Sequence, residues 1–153
     1  MKILKSSKTI IGVMLIFSLM MAGCTIRLIS AYDQTLDQGI TAMQKSTEKY
    51  LIDLESKDSF PACSYEKNKQ FYIDTKVDLS SIKVRAMAMP QNKITVQQLD
   101  LLSDSLDSLE ELQKIKDRKS KCLSKAEIKP IRDALNVSYT AILKLELAKK
   151  RGD

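Results

Sequence analysis

The stretch Leu99-Asp100-Leu101-Leu102-Ser103-Asp104-Ser105-Leu106-Asp107-Ser108-Leu109-Glu110-Glu111-Leu112 decides the fold. Its leucines recur at intervals of three and four, which places them on one face of an α-helix. The inward-facing set is Leu99, Leu102, Leu106, Leu109 and Leu112. The acids between them, Asp100, Asp104, Asp107, Glu110 and Glu111, are predicted to form a solvated face rather than a metal or acid–base site.

The start of this helix is predicted at Thr95. Thr95 and Gln98 have the spacing of a capping box. In such a box the Thr95 side chain accepts from the backbone N–H of Gln98, and the Gln98 side chain reaches back to the backbone N–H of Thr95. The leucine pattern continues to about Asp117. The sequence therefore predicts a helix from Thr95 to about Asp117.

An earlier segment predicts another long helix. Ile29, Leu36, Met43 and Tyr50 are spaced seven residues apart, as expected of an apolar seam. We predict a helix from about Ile29 to Ser56, because Asp58-Ser59-Phe60-Pro61 interrupts the pattern.

The last segment carries a second capping box, Ser124 with Glu127, and Leu123 and Ile128 are placed for a hydrophobic staple. Because Pro130 follows this box, the helix has two possible starts: at the box itself, or at Pro130 after one initial turn. The predicted inward face is Ile131, Leu135, Ser138, Ile142 and Leu145.

Residues 71–88 fit two structures. Ile73, Thr75, Val77 and Leu79 alternate with polar residues, as in a β-hairpin strand. Ser80-Ser81 is a poor hairpin turn, however, and the apolar residues from Tyr65 also fit helical spacing. Helix is the favoured interpretation, ending at Met89-Pro90.

These segments predict an all-α fold, an antiparallel up-down bundle of three to four helices, as one domain over residues 24–153. In that topology Cys63 and Cys122 lie at the same end of the bundle. An oxidising compartment would join them in a disulfide.

Composition argues against several kinds of chemistry. The chain has no histidine and no tryptophan, and it lacks nucleophile elbows, phosphate-binding loops and Cys/His metal spacings. We therefore predict no catalytic residues, no metal site and no enzyme activity.

The N-terminus has the layout of an export signal. Lys2, Lys5 and Lys8 precede an apolar run from Ile10 to Met21, and Ala22-Gly23 leads into Cys24. The run is shorter than the roughly 20 residues that a membrane-spanning helix needs.

This arrangement resembles a bacterial lipoprotein signal, with Met21 where leucine is usual. The resemblance implies that residues 1–23 are removed and that Cys24 carries diacylglycerol and an N-acyl chain, with no other cofactor. Thr25 rather than Asp after the cysteine implies the periplasmic face of the outer membrane. Loss of the three lysines would lower the formal charge from +6 to +3.

Beyond the signal, the densest group of cations is predicted at the far end of the bundle from the membrane. It has two interpretations, a docking patch for an anionic envelope component or a set of cations that offset helix dipoles. Its members are Lys114, Lys116, Arg118, Lys119, Lys121, Lys125 and Lys129. The C-terminal Lys149-Lys150-Arg151 is predicted at the opposite end, against anionic headgroups.

The predicted function is that of a lipid-anchored envelope protein that binds an envelope protein or peptidoglycan through its helical bundle. The whole chain resembles small helical proteobacterial lipoproteins. The alternatives are an inhibitor or exclusion factor acting on an external protein and, least favoured, an envelope enzyme that uses carboxylates. Nucleic acid is not expected as a partner, and oligomerisation stays open.

Overall fold

The computed structural model describes residues 29–57 and 59–152 of the chain. Four helices make up this part: α1 (Gln34–Ser56), α2 (Tyr65–Ala88), α3 (Lys93–Asp117) and α4 (Lys125–Gly152). The predicted signal, residues 1–23, and Cys24 lie outside the described residues. None of the described helices is long and apolar enough to cross a membrane.

The four helices form a closed ring of neighbours. The backbones of α1 and α2, α2 and α3, α3 and α4, and α4 and α1 lie side by side, whereas the diagonal pairs of described helices meet only through side chains, as at Tyr50 and Gln113. The connections 57–64, 89–92 and 118–124 are short, so successive helices run antiparallel. The predicted all-α up-down bundle is confirmed, with four helices.

The interior is filled from all four helices. The leucines that predicted the fold behave as expected, because Leu99, Leu102, Leu106 and Leu109 are all at most 4% exposed. Leu112 is partly buried and packs against this core. Their burial on one face is the main force that holds α3 in the bundle.

Helix α1 begins later than predicted. Asp33 caps it, since its Oδ1 accepts from the backbone N–H groups of Thr35 at 2.8 Å and Leu36 at 3.0 Å. Ile29, the first residue of the predicted seam, precedes the helix and is 37% exposed. The prediction was wrong there because a capping aspartate outweighed the seven-residue spacing.

Residues 65–88 form a helix and not a hairpin. Tyr72, Leu79, Ile82 and Ala86 face the core. Gly39 of α1 allows close approach on this side, because a Cβ built on it would lie 3.1 Å from the Ile82 side chain.

The two predicted capping boxes have different outcomes. Ser124 and Glu127 form theirs, since Glu127 Oε2 accepts from Ser124 N at 2.9 Å and Glu127 N donates to Ser124 Oγ at 3.3 Å. Helix α4 then runs unbroken through Pro130 from Lys125, the earlier of the two starts. Thr95 forms no capping box with Gln98, because α3 begins at Lys93 and Thr95 is fully buried within its first turn.

The inward face of α4 differs in part from the prediction. Leu135 and Ile142 are buried as expected, whereas Ser138 and Leu145 are only partly buried. The neighbouring Tyr139 and Glu146 take the central positions. The core face of α4 is therefore turned from the predicted face by less than one residue step of about 100°, because Leu135 and Ile142 belong to both faces.

Candidate functional site

The end of the bundle formed by connections 57–64 and 118–124, here called the distal end, carries the predicted cysteine pair. Cys63 and Cys122 are joined by a disulfide, with an S–S distance of 2.01 Å and a Cα–Cα distance of 5.5 Å. The pair ties the α1–α2 connection to the α3–α4 connection. The two loops therefore form one continuous surface.

Hydrogen bonds from the helices hold the α1–α2 connection in place. Gln113 Nε2 of α3 donates to the carbonyl of Cys63 at 2.9 Å. Asp117 Oδ1 accepts from the backbone N–H of Tyr65 at 3.1 Å. Asn68 Nδ2 donates to the carbonyls of Ala62 at 3.2 Å and Ser64 at 2.6 Å. The loop is thus fixed by α2 and α3 as well as by the disulfide.

A buried polar cluster lies directly beneath this loop. The hydroxyls of Tyr50 and Tyr72 both donate to Gln113 Oε1 and lie 3.0 Å from each other. Burial raises the pKa of Tyr50 to about 12. Burial also raises the pKa of Tyr72 far above its usual range. Both tyrosines therefore stay neutral and serve as hydrogen-bond donors.

Three of the seven predicted cations form ion pairs within the protein. Lys114 lies 2.9 Å from both Glu110 and Glu111. Lys116 pairs with Glu127, and Lys129 pairs with Asp133 at 2.8 Å. For these three, the interpretation as structural charges is the better one.

The other four form what we call the distal basic patch: Arg118, Lys119, Lys121 and Lys125. All four are exposed, and no carboxylate of the described residues lies within ion-pair distance of them. A tight turn, in which the N–H of Lys121 donates to the carbonyl of Lys116 at 3.1 Å, presents Arg118, Lys119 and Lys121, and Lys125 begins α4. Their positive charge is left available to an external anion.

An apolar tip lies in the α1–α2 connection, which the disulfide joins to the loop of the distal basic patch. Phe60, Pro61 and Ala62 are all exposed, and Phe60 is 41% exposed. Phe60 is three residues from Cys63, so its Cα lies within about 10 Å of the disulfide. The distal end thus combines an exposed aromatic ring with four cations that have no carboxylate partner among residues 29–57 and 59–152.

One acid of α3 corrects the prediction of a wholly solvated acidic face. Glu110 is 5% exposed and accepts from Tyr65 Oη at 2.8 Å, from Lys76 and from Lys114. Burial opposes ionisation of its carboxyl, but these three donors outweigh it and lower the pKa to about 2. Glu110 is a structural anion that joins α2 to α3.

The opposite end contains a buried charge pair that sequence reasoning missed. Lys149 is 3% exposed and donates to Glu146 of α4, and also to Asn92 Oδ1 and Thr95 Oγ1, each at 2.7 Å. The prediction that Lys149 lies against headgroups was therefore wrong. Glutamate and lysine at i and i+3 of a helix usually form an exposed surface pair, so their spacing gives no sign of burial. The only sequence signal is that Ile142, Glu146 and Lys149 continue the inward register of α4.

The described surface has three shallow grooves, and an enzyme that uses carboxylates would need at least two acids together in one of them. The groove between α3 and α4, about 340 Å³, is lined by Leu109, Leu112, Ile131 and neighbouring small residues. The other two include a single carboxylate each, Asp133 and Asp78. None of the three brings two carboxylates together. The described residues also contain no cluster of three metal-ligating side chains.

Comparison with protein-family models, curated proteins and solved structures finds no match to this chain. The fold and the site define a four-helix bundle with a disulfide-linked, basic distal end.

Proposed function

We propose that this chain is a lipid-anchored protein of the bacterial cell envelope that binds an anionic envelope component through its distal basic patch. The observation that carries the proposal is the set of four exposed cations without a carboxylate partner among the described residues. The binding partner is peptidoglycan, through its carboxylates, or an acidic face of an envelope protein. The location proposed is the periplasmic face of the outer membrane.

The position of Ser30, near the start of the described chain, supports the proposed lipid anchor. Ser30 donates from its backbone N–H to the carbonyl of Gln91 at 3.2 Å and from its hydroxyl to Asn92 at 2.7 Å. These contacts fix the start of the described chain at the end opposite the distal end. Cys24 is six residues before Ser30, so its acyl chains would enter a membrane within about 20 Å of that end.

Helix length then sets the distance between anchor and patch. Helix α1 has 23 residues and is about 35 Å long. A bundle that stands on its anchored end would hold the distal basic patch about that far from the bilayer surface. Acyl chains on one cysteine would keep the protein at the membrane and raise its local concentration against a partner in the same compartment.

The chemistry of the distal end favours an anionic partner with some apolar surface. Exposed cations attract a partner over about 8–10 Å at physiological ionic strength, and this attraction weakens as salt rises. Phe60 supplies an aromatic contact beside them. Because the disulfide and Gln113 fix the loop, little conformational entropy would be lost on binding.

A crosslinking experiment tests the patch. Phe60 is replaced by the photoreactive benzoylphenylalanine in the full chain, and intact cells are irradiated. We expect a crosslinked adduct whose yield falls strongly when all four patch cations are changed to glutamine. The matched control removes the same charge elsewhere, from four exposed lysines outside the distal end: Lys45, Lys49, Lys93 and Lys144. An adduct yield that falls equally in both variants, or in neither, would contradict the proposal.

The anchor is tested separately. Cells that express the full chain are grown with an alkyne-labelled fatty acid, and the label on the protein is measured. We expect label on the natural sequence and none on the Cys24→Ala variant. Equal labelling of both, or labelling of neither, would refute the anchor without bearing on the patch.

A further inference from the structure

Helix α2 has a second line of apolar residues on its exposed side. Ile73, Val77, Val84 and Met87 are 49%, 64%, 65% and 64% exposed. With Ser80 between them, these positions follow one another at intervals of four, three, four and three residues. We call this line the outer stripe. It spans 14 residue steps, or about 21 Å of helix.

The outer stripe is separate from the face that α2 uses in the bundle. The buried residues of α2 include Tyr72, Thr75, Leu79 and Ile82, and they pack against α1 and α3. No described helix contacts α2 apart from α1 and α3. The outer stripe therefore faces away from the bundle.

We propose that a second copy of this chain packs on the outer stripe, with the two α2 helices parallel. Alternation of four and three is the spacing at which two helices share a seam, because it matches the 3.5-residue repeat of a coiled coil. Val77 and Val84 occupy equivalent positions seven residues apart. β-Branched residues at that position favour pairs of parallel helices.

The charges beside the outer stripe decide between a parallel and an antiparallel pair. On the α3 side, Lys76 contacts Asp107 at 3.1 Å, and Lys83 pairs with Asp100. On the α1 side lie Asp78 and Arg85, which border a groove between α1 and α2. The two sides thus carry different sets of charges.

A two-fold axis parallel to the helices brings the α3 side of one copy against the α1 side of the other. A perpendicular axis would instead set each side against its own copy, so that lysine would face lysine on the α3 side. In the parallel pair, Lys69, which pairs with Glu66 of its own helix at 2.6 Å, has Asp74 of the second copy at the usual five-residue offset of opposite charges. Charge complementarity therefore favours the parallel arrangement.

The parallel arrangement also puts both N-termini at the same end. Two copies tethered to one membrane would need that orientation. This agreement between the parallel orientation and a shared membrane rests on the proposed lipid anchor, whereas the proposed interface does not.

Site-directed crosslinking of the full chain in intact cells tests the proposal. Ile73→Cys and Met87→Cys are made as separate variants and treated with a short bis-maleimide, which needs free thiols and spares the disulfide. In a parallel pair each position meets its own copy, so each variant alone should give a band of twice the chain's mass. Val137→Cys, at a 70% exposed position on α4, is the matched control and should give none.

Each other outcome overturns the proposal. A dimer band that appears only when the Ile73→Cys and Met87→Cys variants are co-expressed would indicate antiparallel pairing. Bands of other masses would indicate that a different protein covers the outer stripe. A dimer band as strong for Val137→Cys would indicate random collision. Addition of Val84→Asp to Ile73→Cys should abolish the band, and its persistence would also contradict the interface.

Discussion

The ammonium group of Lys149 donates to the carboxylate of Glu146, three residues earlier on α4, and both side chains are buried. Glu146 is 0% and Lys149 3% exposed. Transfer of two charges out of water is costly, so the pair persists only because Asn92 and Thr95 supply further hydrogen bonds. These contacts join the end of α4 to the start of α3.

Loss of one member of this pair should destabilise the protein strongly. Lys149→Met leaves the Glu146 carboxylate buried without its cation, and we expect a loss of about 3–5 kcal/mol in the free energy of unfolding. Urea denaturation followed by circular dichroism measures it. The double variant Glu146→Leu/Lys149→Met removes both charges and should recover most of the loss. A double variant no more stable than Lys149→Met would contradict the explanation.

Gln113 should matter more than its size suggests. Gln113→Leu keeps the volume but leaves the Tyr50 and Tyr72 hydroxyls and the Cys63 carbonyl without their shared partner. We expect a loss of about 2–4 kcal/mol, since each unsatisfied buried polar group costs about 1–3 kcal/mol. Thermal unfolding measures the change. The exposed Gln97→Leu on the same helix is the control and should shift the melting temperature little.

Removal of the disulfide should destabilise the protein by restoring freedom to the unfolded chain. Cys63 and Cys122 are 59 residues apart, for which chain entropy gives about 4 kcal/mol. We expect Cys63→Ala/Cys122→Ala to unfold at correspondingly lower urea concentration. Reduction of the natural protein with dithiothreitol should have a comparable effect, and dithiothreitol should leave the double variant unchanged. Equal stability of the natural and double-alanine proteins would refute this prediction.

Glu110 should contribute a pH dependence in the acid range. Its folded-state pKa of about 2 lies below its ordinary value of 4.5, so the folded state favours the ionised form. The stabilisation is therefore complete above pH 4.5 and is lost as the pH falls towards 2. Glu110→Gln should be less stable than the natural protein at pH 7, and this difference should shrink as the pH falls through that window. Urea midpoints measured from pH 7 to pH 2 test this, and a difference that stays constant would be inconsistent with the assigned role.

Much of the fold follows from local pattern. The leucines of α3 and the Ser124–Glu127 box of α4 predicted their helices because spacing and capping act over a few residues. The cysteine pair followed from topology, because antiparallel helices joined by short loops bring Cys63 and Cys122 to one end.

Helix α2 was ambiguous for a physical reason. Thr75 and Leu79 face the core, whereas Ile73 and Val77 lie on the outer stripe. Apolar residues on two faces of one helix produce an alternation that imitates a strand. Only the packing of α2 between α1 and α3 decides the structure.

The candidate site also combines features that the sequence predicts with features that only the tertiary structure decides. The sequence by itself determined the helical segments of α1, α3 and α4, the export signal pattern and the presence of seven clustered cations. Tertiary structure decided the charge contacts that join different helices, because those partners are distant in sequence. Lys76 reaches Glu110 across 34 residues, and Lys149 reaches Asn92 across 57. No local pattern encodes those distances, whereas helical spacing is set by the geometry of the backbone itself.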